Sequence, residues 1–300
     1  MIADKYVDLY ARNSGLRDKL VAERDVVLTY ALHALVDAGV IDHLAFKGGT
    51  CLRKLIFGSA GRFSEDLDFT LDSDEPDDEV LIELVEVFNR DHHGIAFTFD
   101  EYYKTVDERS FGGDVRYRHA WNDAGRFRLQ VSLRERPTLP VRARAMQAHA
   151  YSEHLEFERF DVRSLDATEM IAEKVRAAFQ RVKVRDLYDL HRFATTPFNG
   201  ELLRRLAVLK LWQARDPFDP GGFFSKLRSG VYDWEDIHRL VRLSERVEPE
   251  EILASVESRF AVLRRLTELE RRVIADARSG WNEPLAQMLR AEIHQLATAG

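Results

Sequence analysis

Hydrophobic positions near the start of the chain switch between helical and strand-like spacing. Between residues 16 and 38, apolar side chains recur at roughly helical intervals, and Gly39 follows the last of them. This pattern predicts a helix that packs against the rest of the protein. The elements predicted next are a strand over 41–46, a helix over 49–57, a strand over 66–71 and an amphipathic helix from Val80 that ends near Asn89.

Three strand-like segments follow, over 95–99, 115–121 and 126–133. In the last of them Phe127 and Leu129 fall on one face, and Arg128 and Gln130 fall on the other. Turn-forming residues separate the segments, so we expect an antiparallel meander that extends the sheet.

The second half of the chain has a different pattern. One more strand is predicted over 157–162, and from Asp166 onward the spacing is helical almost throughout. We therefore predict a mixed α+β protein. A sheet with its helices would occupy residues 1–150, and a mainly helical lobe would occupy residues 151–300, which is enough chain for two lobes.

The composition indicates the cellular compartment in which the protein is expected. Hydrophobic residues make up 45% of the chain, which allows a sizeable core, but no apolar run is long enough to cross a bilayer. The first residues lack the pattern of a signal peptide. Cys51 is the only cysteine, which excludes an internal disulfide and a multi-cysteine zinc site. We expect a cytoplasmic protein that does not bind membranes.

Charge is unevenly spread along the chain. The net charge of -7 argues against nonspecific coating of nucleic acid. Residues 65–79 hold nine acidic side chains and no basic one, whereas arginines recur between residues 116 and 144. A mildly acidic total can therefore conceal a local basic surface that suits an RNA backbone.

Two short motifs indicate phosphate and metal chemistry. An apolar run ends at Gly48 and Gly49, and Thr50 can cap the helix that follows. Consecutive glycines let the backbone approach a ligand, and the free N–H groups at a helix start favour phosphate. On the next strand, Asp66 and Asp68 share one face. Two neighbouring carboxylates suit a divalent cation such as Mg²⁺, so the pair of motifs indicates transfer from a nucleoside triphosphate.

These motifs carry a resemblance to a known family. They read Gly48-Gly49-Thr50-Cys51-Leu52-Arg53-Lys54, then Arg62-Phe63-Ser64-Glu65-Asp66-Leu67-Asp68-Phe69, then Glu169 with Lys174 and Ala177, and Arg185-Asp186 with Asp189-Leu190. In this order and spacing the chain resembles the AbiEii/AbiGii-type nucleotidyltransferase toxins of the polymerase-β-like superfamily. The motifs lie between residues 46 and 190, and the last third of the chain carries none.

The resemblance implies a polymerase-β-like sheet with helices, and roles for particular residues. Gly48, Gly49 and Thr50 are expected to bind the triphosphate of an NTP, with Lys47 and Ser64 as further nucleotide-binding residues. Lys54 is a possible helper.

The resemblance also implies a catalytic set. Asp66 and Asp68 are expected to be the metal ligands for Mg²⁺, with Mn²⁺ as an alternative. Lys174 would neutralise the triphosphate, and Asp189 would act as a base or as an orienting residue. Both would reach the cleft from the helical lobe.

One position departs from the pattern of the superfamily. A third carboxylate commonly comes from a later strand, and the corresponding residue here is Gln130. A neutral amide oxygen is a weaker ligand than a carboxylate for a hard cation. Either another acid such as Asp189 replaces it, or the enzyme works with two aspartates and one firmly held metal.

Helical spacing bears on the third motif. Lys174, Arg181, Arg185 and Asp189 are separated by 7, 4 and 4 residues and would share one face of a continuous helix. From the charge pattern alone, Arg185 and Asp189 would form a surface pair on a solvated helix face, but the resemblance instead implies that Lys174 and Asp189 lie in the active site. Asp186 is expected to have a structural role, with Lys183 or as a cap.

The histidines show no metal-ligand spacing. His92 and His93 are adjacent, and adjacent side chains diverge in any regular element, so the sequence predicts no zinc site.

The resemblance alone implies a function. We expect a Mg²⁺-dependent nucleotidyltransferase that transfers NMP from an NTP to the 3′ end of tRNA and so blocks translation. It would be the toxin of a toxin–antitoxin or phage-defence system, with a cognate antitoxin from a neighbouring gene. Two alternatives remain open: transfer to a protein or small molecule, and a nucleotide-binding interaction protein without catalysis.

Overall fold

The computed structural model describes residues 1–16, 18–105, 109–279 and 281–298, which form two compact units. The chain passes between the units more than once, so neither unit is a single segment. The first unit comprises residues 1–137, 141–165 and 239–245, and the second comprises 138–140, 166–238 and 246–300. None of the helices among the described residues combines the length and the hydropathy that crossing a bilayer requires.

A mixed sheet forms the centre of the first unit. Among the described residues its strands are β1 Leu44–Lys47, β2 Asp66–Leu71, β3 Asp91–His92, β4 Ile95–Lys104, β5 Ser110–His119, β6 Asn122–Ser132, β7 Arg142–Ala145 and β8 Asp161–Ser164. They lie in the order β3-β4-β5-β6-β2-β1-β8-β7. The predicted meander is confirmed, because β5 pairs antiparallel with both β4 and β6. At the centre, β2 runs antiparallel to β1 and parallel to β6.

Helices cover the sheet of the first unit. They are α1 Asp4–Asn13, α2 Lys19–Asp37, α3 Gly48–Cys51 and α4 Asp77–Val87. The α2 helix begins where the Asp18 carboxylate accepts the Leu20 N–H, and it ends before Gly39, which has a left-handed backbone with φ of 77°. Its middle is buried on nearly every side, including the carboxylates of Glu23 and Asp25. The α2 helix is therefore a central element of this unit.

Two predicted elements differ from the structure. The strand predicted over 41–46 begins only at Leu44, because Val40–His43 forms a 3₁₀ turn. The strand predicted over 157–162 is wrong in position, since the strand there is β8. Phe157 and Phe160 are apolar because they pack around His33 and not because they alternate in a strand.

The second unit is helical, as the sequence predicts from Asp166 onward. Its helices among the described residues are α5 Ala167–Gln180, α6 Val184–Ala194, α7 Gly200–Gln213, α8 Pro220–Ser229, α9 Trp234–His238, α10 Pro249–Arg259, α11 Glu268–Ser279 and α12 Glu283–Thr298. The α5 helix starts where the Asp166 carboxylate accepts the Thr168 N–H. The fold is thus mixed α+β, as the sequence predicts.

Candidate active site

The two motif aspartates lie side by side at the centre of the sheet. Asp66 and Asp68 are half-buried on one face of β2, and Leu67 and Phe69 are fully buried on the other. Alternation on a strand explains this division, because the apolar face fills the core and leaves both carboxylates on the opposite face. The structure therefore brings together the two residues that were predicted to hold a metal.

The glycine turn lies directly against this carboxylate pair. Gly48 follows β1 with a φ of +79°, a left-handed conformation that a side chain disfavours. A Cβ atom built on Gly48 would be 2.5 Å from the Asp68 Oδ2 atom. Glycine is thus required at this position both by the turn and by the close approach of the Asp68 carboxylate.

Arg62 is a site residue to which the sequence assigned no role. A Cβ atom on Gly49 would collide with the Arg62 guanidinium, and it would lie 3.1 Å from the Ser64 Oγ atom. Arg62 is only 5% exposed, and its Nη1 atom donates to the Phe63 carbonyl at 3.1 Å. It therefore places buried positive charge beside the second glycine. Its position two residues before Ser64 in the motif was the available signal.

Thr50 connects the helix start to β2. Its hydroxyl donates to the Asp66 carbonyl oxygen at 2.5 Å, and the residue is 1% exposed. The hydroxyl is thus engaged by the protein, and it fixes the backbone that carries Asp66.

The helix behind the glycine turn is anchored by a buried ionic cluster. Helical backbone continues from α3 as a π-helical segment, Leu52–Phe57, which carries Arg53 and Lys54. The Asp25 carboxylate on α2 accepts from Arg53 Nε at 2.9 Å and pairs with Lys54 Nζ at 2.8 Å. Lys54 also donates to the Tyr151 hydroxyl at 2.6 Å. This cluster holds the turn in place relative to α2.

The cluster corrects the expectation that Lys54 helps to bind nucleotide. Lys54 is 0% exposed, and burial, together with the charge of Arg53, lowers its pKa to about 8 despite the opposing effect of Asp25. Burial opposes ionisation of Asp25, but the charges of Arg53 and Lys54 outweigh it and hold the pKa of that carboxyl well below its usual range. Lys54 is a structural residue because its ammonium group is occupied by Asp25 and Tyr151.

Gln130 occupies the position that the sequence pattern assigned to it. It lies in register with Asp68 across the parallel β2–β6 pair. Its Nε2 atom donates to the Ser110 hydroxyl on β5 at 3.2 Å, which orients the amide. On the other side of Asp68, Lys47 of β1 is in register. Asp68 thus has Lys47 in register on one neighbouring strand and the neutral amide of Gln130 in register on the other.

Arginines extend the polar face on which the aspartates lie. Arg128 is in register with Asp66, and its Nη2 atom donates to the Tyr103 hydroxyl at 2.9 Å. That hydrogen bond, and the charges of Asp66 and Asp114, raise the pKa of Arg128. Directly paired residues of a sheet share a face, so this face also presents the exposed arginines Arg116, Arg118 and Arg126.

The second unit contains an ionic group around Lys174. Its Nζ atom lies 3.0 Å from Asp186 Oδ1 and 2.9 Å from Asp189 Oδ2. Asp186 also accepts from Arg181 Nε at 2.8 Å. Burial opposes ionisation of Asp186, but Lys174 and Arg181 outweigh it and hold its pKa well below the usual range. Lys174 and Asp189, which were predicted as two separate site residues, are therefore in direct contact with each other.

The helix is not continuous through the third motif, so the condition for a shared face is not met. The α5 helix ends at Gln180, Arg181 has an extended backbone, and α6 begins at Val184. Arg185 forms two hydrogen bonds of 2.7 Å with the Asp236 carboxylate. Asp186 contacts Lys174 and Arg181 and not the expected Lys183 side chain or a cap position.

Glu169, the first residue of the third motif, has a structural role. It is 0% exposed, and its carboxylate accepts the backbone N–H groups of Thr138 and Leu139, each at 2.8 Å. Lys210 lies 2.7 Å from the same carboxylate. The glutamate thus fixes the short segment that crosses into the second unit.

A glycine turn packed against a carboxylate pair on a mixed sheet suits phosphoryl chemistry of the nucleotidyltransferase class. The chain belongs to the family described as "Nucleotidyl transferase AbiEii toxin, Type IV TA system", whose model matches residues 30–298. The resemblance read from the three motifs is therefore confirmed, and the protein is a nucleotidyltransferase of a toxin–antitoxin family.

The structure of a toxin of the same kind agrees with this assignment, and a second solved structure is more distant. MenT4, a nucleotidyltransferase toxin from Mycobacterium tuberculosis, is 28% identical and superposes with a TM-score of 0.82, covering 96% of this chain and 98% of its own. A nucleotidyltransferase candidate from H. pylori is 19% identical with a TM-score of 0.46, covering 93% and 98%. No curated protein matches the chain.

Proposed function

We propose that the protein transfers a nucleoside monophosphate from an NTP to the 3′ end of tRNA, in the presence of Mg²⁺. The observation that carries this proposal is the contact of Gly48 with the Asp68 carboxylate, beside Asp66 on the same strand face. A triphosphate bound at the turn would have its phosphates next to both carboxylates. MenT4, which is described as a nucleotidyltransferase toxin, has the same fold.

Different groups of the site bind different parts of the triphosphate. Backbone N–H groups of Gly48, Gly49 and Thr50 bind phosphate oxygens, as the start of a helical segment favours. Arg62 adds buried positive charge beside Gly49, and Ser64 and Lys47 border the same space. The acceptor hydroxyl attacks the α-phosphorus, the bond to the bridging oxygen of the β-phosphate breaks, and pyrophosphate leaves.

Asp66 and Asp68 fit a divalent cation. Hard oxygen donors on one or two carboxylates are the ligands that Mg²⁺ takes in sites of this kind, and Mn²⁺ accepts the same set. When bound, the cation supplies positive charge to the phosphates and lowers the pKa of the acceptor hydroxyl. Gln130, in register with Asp68, cannot accept a proton, so we assign the hydroxyl proton to solvent water.

Lys174 and Asp189 act from the second unit in this proposal. Lys174 supplies charge to the triphosphate. Asp189 already accepts the Lys174 ammonium at 2.9 Å and is nearly fully buried. A carboxylate held in this way is a poor general base, so Asp189 orients Lys174.

The arginine face supports an RNA acceptor. Arg116, Arg118, Arg126 and Arg128 are exposed on the strand face that carries the aspartates. Arginines bind phosphate bidentately, and single-stranded RNA ends expose both phosphates and bases. Transfer to the tRNA 3′ end would block translation in the cytoplasm. An antitoxin from a neighbouring gene would protect the host, and the pair would act in phage defence.

Labelling of total RNA tests the proposal. Purified protein is incubated with Mg²⁺, total RNA and each of four NTPs labelled at the α-phosphate. We expect label on RNA of tRNA size with at least one NTP, lost on treatment that removes 3′-terminal nucleotides. Chelation of the divalent cation should abolish the signal.

Matched variants assign the signal to the site. Asp66→Asn and Asp68→Asn should each lower labelling by at least ~10²-fold, because one charged ligand of the cation is lost. Asp74→Asn removes a carboxylate of the same acidic segment of the sequence that is 95% exposed, and it should have no effect. If RNA stays unlabelled and a protein or small molecule gains label, the acceptor assignment is wrong. If Asp66→Asn retains full activity, the site assignment is wrong.

Gln130 favours one competing function, a nucleotide-binding protein that does not catalyse transfer. This protein would bind NTP with Mg²⁺ but would release no pyrophosphate with any acceptor. Gln130→Glu restores a carboxylate in register with Asp68. Turnover that appears only in Gln130→Glu would select this alternative over the proposed enzyme.

A further inference from the structure

Three histidine side chains of the first unit lie close to one another. His33 belongs to α2, His92 ends β3, and His93 lies in the turn that follows. One ring nitrogen from each lies within 4.8 Å of the other two. The closest pair is His33 Nδ1 and His92 Nε2, at 2.8 Å. Three imidazole nitrogens at this separation are a donor set for a transition metal.

An unusual backbone conformation creates this convergence. His93 has a φ of 49°, a left-handed conformation that is uncommon outside glycine, and Gly94 follows with a φ of 73°. Adjacent side chains of a regular strand point to opposite faces. Here the turn instead brings the His92 and His93 rings to a centroid distance of 4.6 Å. The adjacent side chains of His92 and His93, which were expected to diverge, therefore lie close together at this turn.

Packing fixes the third ring from the helix side. The His33 ring stacks on Phe157 with a centroid distance of 3.8 Å and an interplanar angle of 18°. Phe160 meets the same ring edge-on at 5.1 Å. Because the two phenylalanines restrict the His33 ring, the nitrogen that faces His92 is held in position before any ligand arrives.

A carboxylate lies beside the cluster. The Glu156 Oε2 atom lies 3.5 Å from His93 Nδ1 and 3.4 Å from the N-terminal ammonium of Met1. A carboxylate that contacts a metal-binding imidazole orients the ring. Glu156 is thus placed to orient the His93 ring.

We propose that His33, His92 and His93 form a binding site for a Zn²⁺-type transition-metal ion, distinct from the carboxylate pair of the active site. Imidazole ligands select such ions over Mg²⁺, which prefers oxygen. Zn–N bonds of about 2.0–2.1 Å in tetrahedral geometry require nitrogens roughly 3.3 Å apart. The pair at 2.8 Å must therefore separate by about half an ångström as the ion replaces their hydrogen bond. The shared proton moves to the other nitrogen of its ring.

The site would join an edge of the sheet to a central helix. The β3 strand lies at one end of the strand order, and His33 is on α2. A bound ion would cross-link these two elements through side chains alone. Because the ion binds the folded chain and not the separated elements, it would stabilise the fold. The fourth coordination position would be filled by water.

Metal titration of the full chain without a histidine tag tests this proposal. Protein is stripped with a chelator and titrated with ZnCl₂ in a calorimeter, and bound zinc is counted by elemental analysis. We expect one zinc per chain, a rise in thermal midpoint with zinc, and no competition from excess Mg²⁺. His92→Gln and His93→Gln should weaken zinc binding by at least tenfold, and circular dichroism confirms that each variant is folded.

Two controls locate the binding. His294→Gln alters an exposed histidine of α12 and should leave zinc affinity unchanged. Asp66→Asn should also leave it unchanged, which separates this site from the active-site carboxylates. Co²⁺ substitution gives a second measurement, because absorption bands of a four-coordinate nitrogen site should appear in the native chain and disappear in His92→Gln. Zinc affinity that is equal in the native chain and both cluster variants would overturn the proposal.

Discussion

At the scale of single residues, the site depends on a few positions where the side chain is fixed by close contacts with its neighbours. Gly48 has both a left-handed backbone and a carboxylate in the space that a Cβ atom would fill. The Thr50 hydroxyl donates a hydrogen bond to the Asp66 carbonyl, and Arg62 lies buried beside Gly49. Small displacements at these residues would move the carboxylates relative to the phosphates.

Gly48→Ala should inactivate the enzyme. The methyl group would be 2.5 Å from Asp68 Oδ2, so the carboxylate or the turn must shift, and a shift of this kind can lower the rate about 10²-fold. Gly39→Ala is a matched control, because Gly39 also has a positive φ, 77°, yet no described residue comes within 4 Å of its Cβ position. It should cost about 1 kcal/mol of stability and leave labelling of RNA unchanged. Equal activity losses in both variants would contradict the steric explanation.

His149 should make the protein less stable in acid. Burial and the charges of Lys54, Arg53 and Arg242 lower its pKa to about 3, outweighing Asp25. Neither ring nitrogen has a hydrogen-bond partner in the described part of the chain. As the pH falls from about 6.5 to about 3, the unfolded state takes up a proton that the folded state refuses. The free energy of unfolding should therefore fall with pH.

Urea unfolding at several pH values in this window measures that effect. His149→Phe keeps the stacking on Tyr151 but cannot titrate. Its free energy of unfolding should fall less steeply with decreasing pH than that of the native chain, by up to about 1.4 kcal/mol per pH unit. Parallel pH profiles for the two proteins would show that His149 titrates normally in the folded state.

At the scale of elements, the glycine turn is held by the helical segment behind it. That segment carries Arg53 and Lys54 into the core, where both bind Asp25 of α2. Arg53 also lies over the Phe63 ring, with its guanidinium carbon 3.6 Å from the ring centroid. The two motif segments are thus tied to α2 through one buried carboxylate.

Asp25→Asn should destabilise the first unit strongly. The substitution leaves two buried cations without their anion, a change that typically costs about 3–5 kcal/mol. Asp74→Asn breaks the exposed pair with Arg136 and should cost about 0–1 kcal/mol. Chemical denaturation followed by circular dichroism compares the two. A cost for Asp25→Asn as small as that for Asp74→Asn would refute the anchoring role of the cluster.

At the scale of the whole molecule, the order of the strands depends on contacts between distant segments. Alternation in β2 and β6 was enough to predict the faces of Asp66, Asp68 and Gln130, because each strand has one buried face. The break at Arg181 could not be read from spacing, since charged residues fit equally well on a helix and at its end. The burial of Arg62 and Lys54 could not be predicted either, because charged residues are normally exposed.

A late segment completes the first unit. Residues 239–245 return to it, and the Leu240 carbonyl accepts the Phe63 N–H at 2.6 Å, one residue before Ser64. Leu240 is 2% exposed, whereas Leu243 in the same segment is 61% exposed. The segment therefore supports a motif that lies far from it in the sequence.

Leu240→Ala should lower both stability and activity. Truncating a buried leucine costs about 2–5 kcal/mol, and the loosened segment would no longer hold the backbone at Phe63. Leu243→Ala in the same segment should cost less than about 0.5 kcal/mol. Thermal unfolding and RNA labelling are measured on both. Wild-type activity in a folded Leu240→Ala protein would disprove the supporting role of the segment.

The return of residues 239–245 has a consequence for synthesis. The Phe63 amide cannot meet its acceptor until the ribosome has translated past Leu240, long after both motifs have left the ribosome. A nascent chain thus contains the aspartates and the glycines before residues 239–245 are available to support them. The complete site can therefore form only near the end of each round of translation.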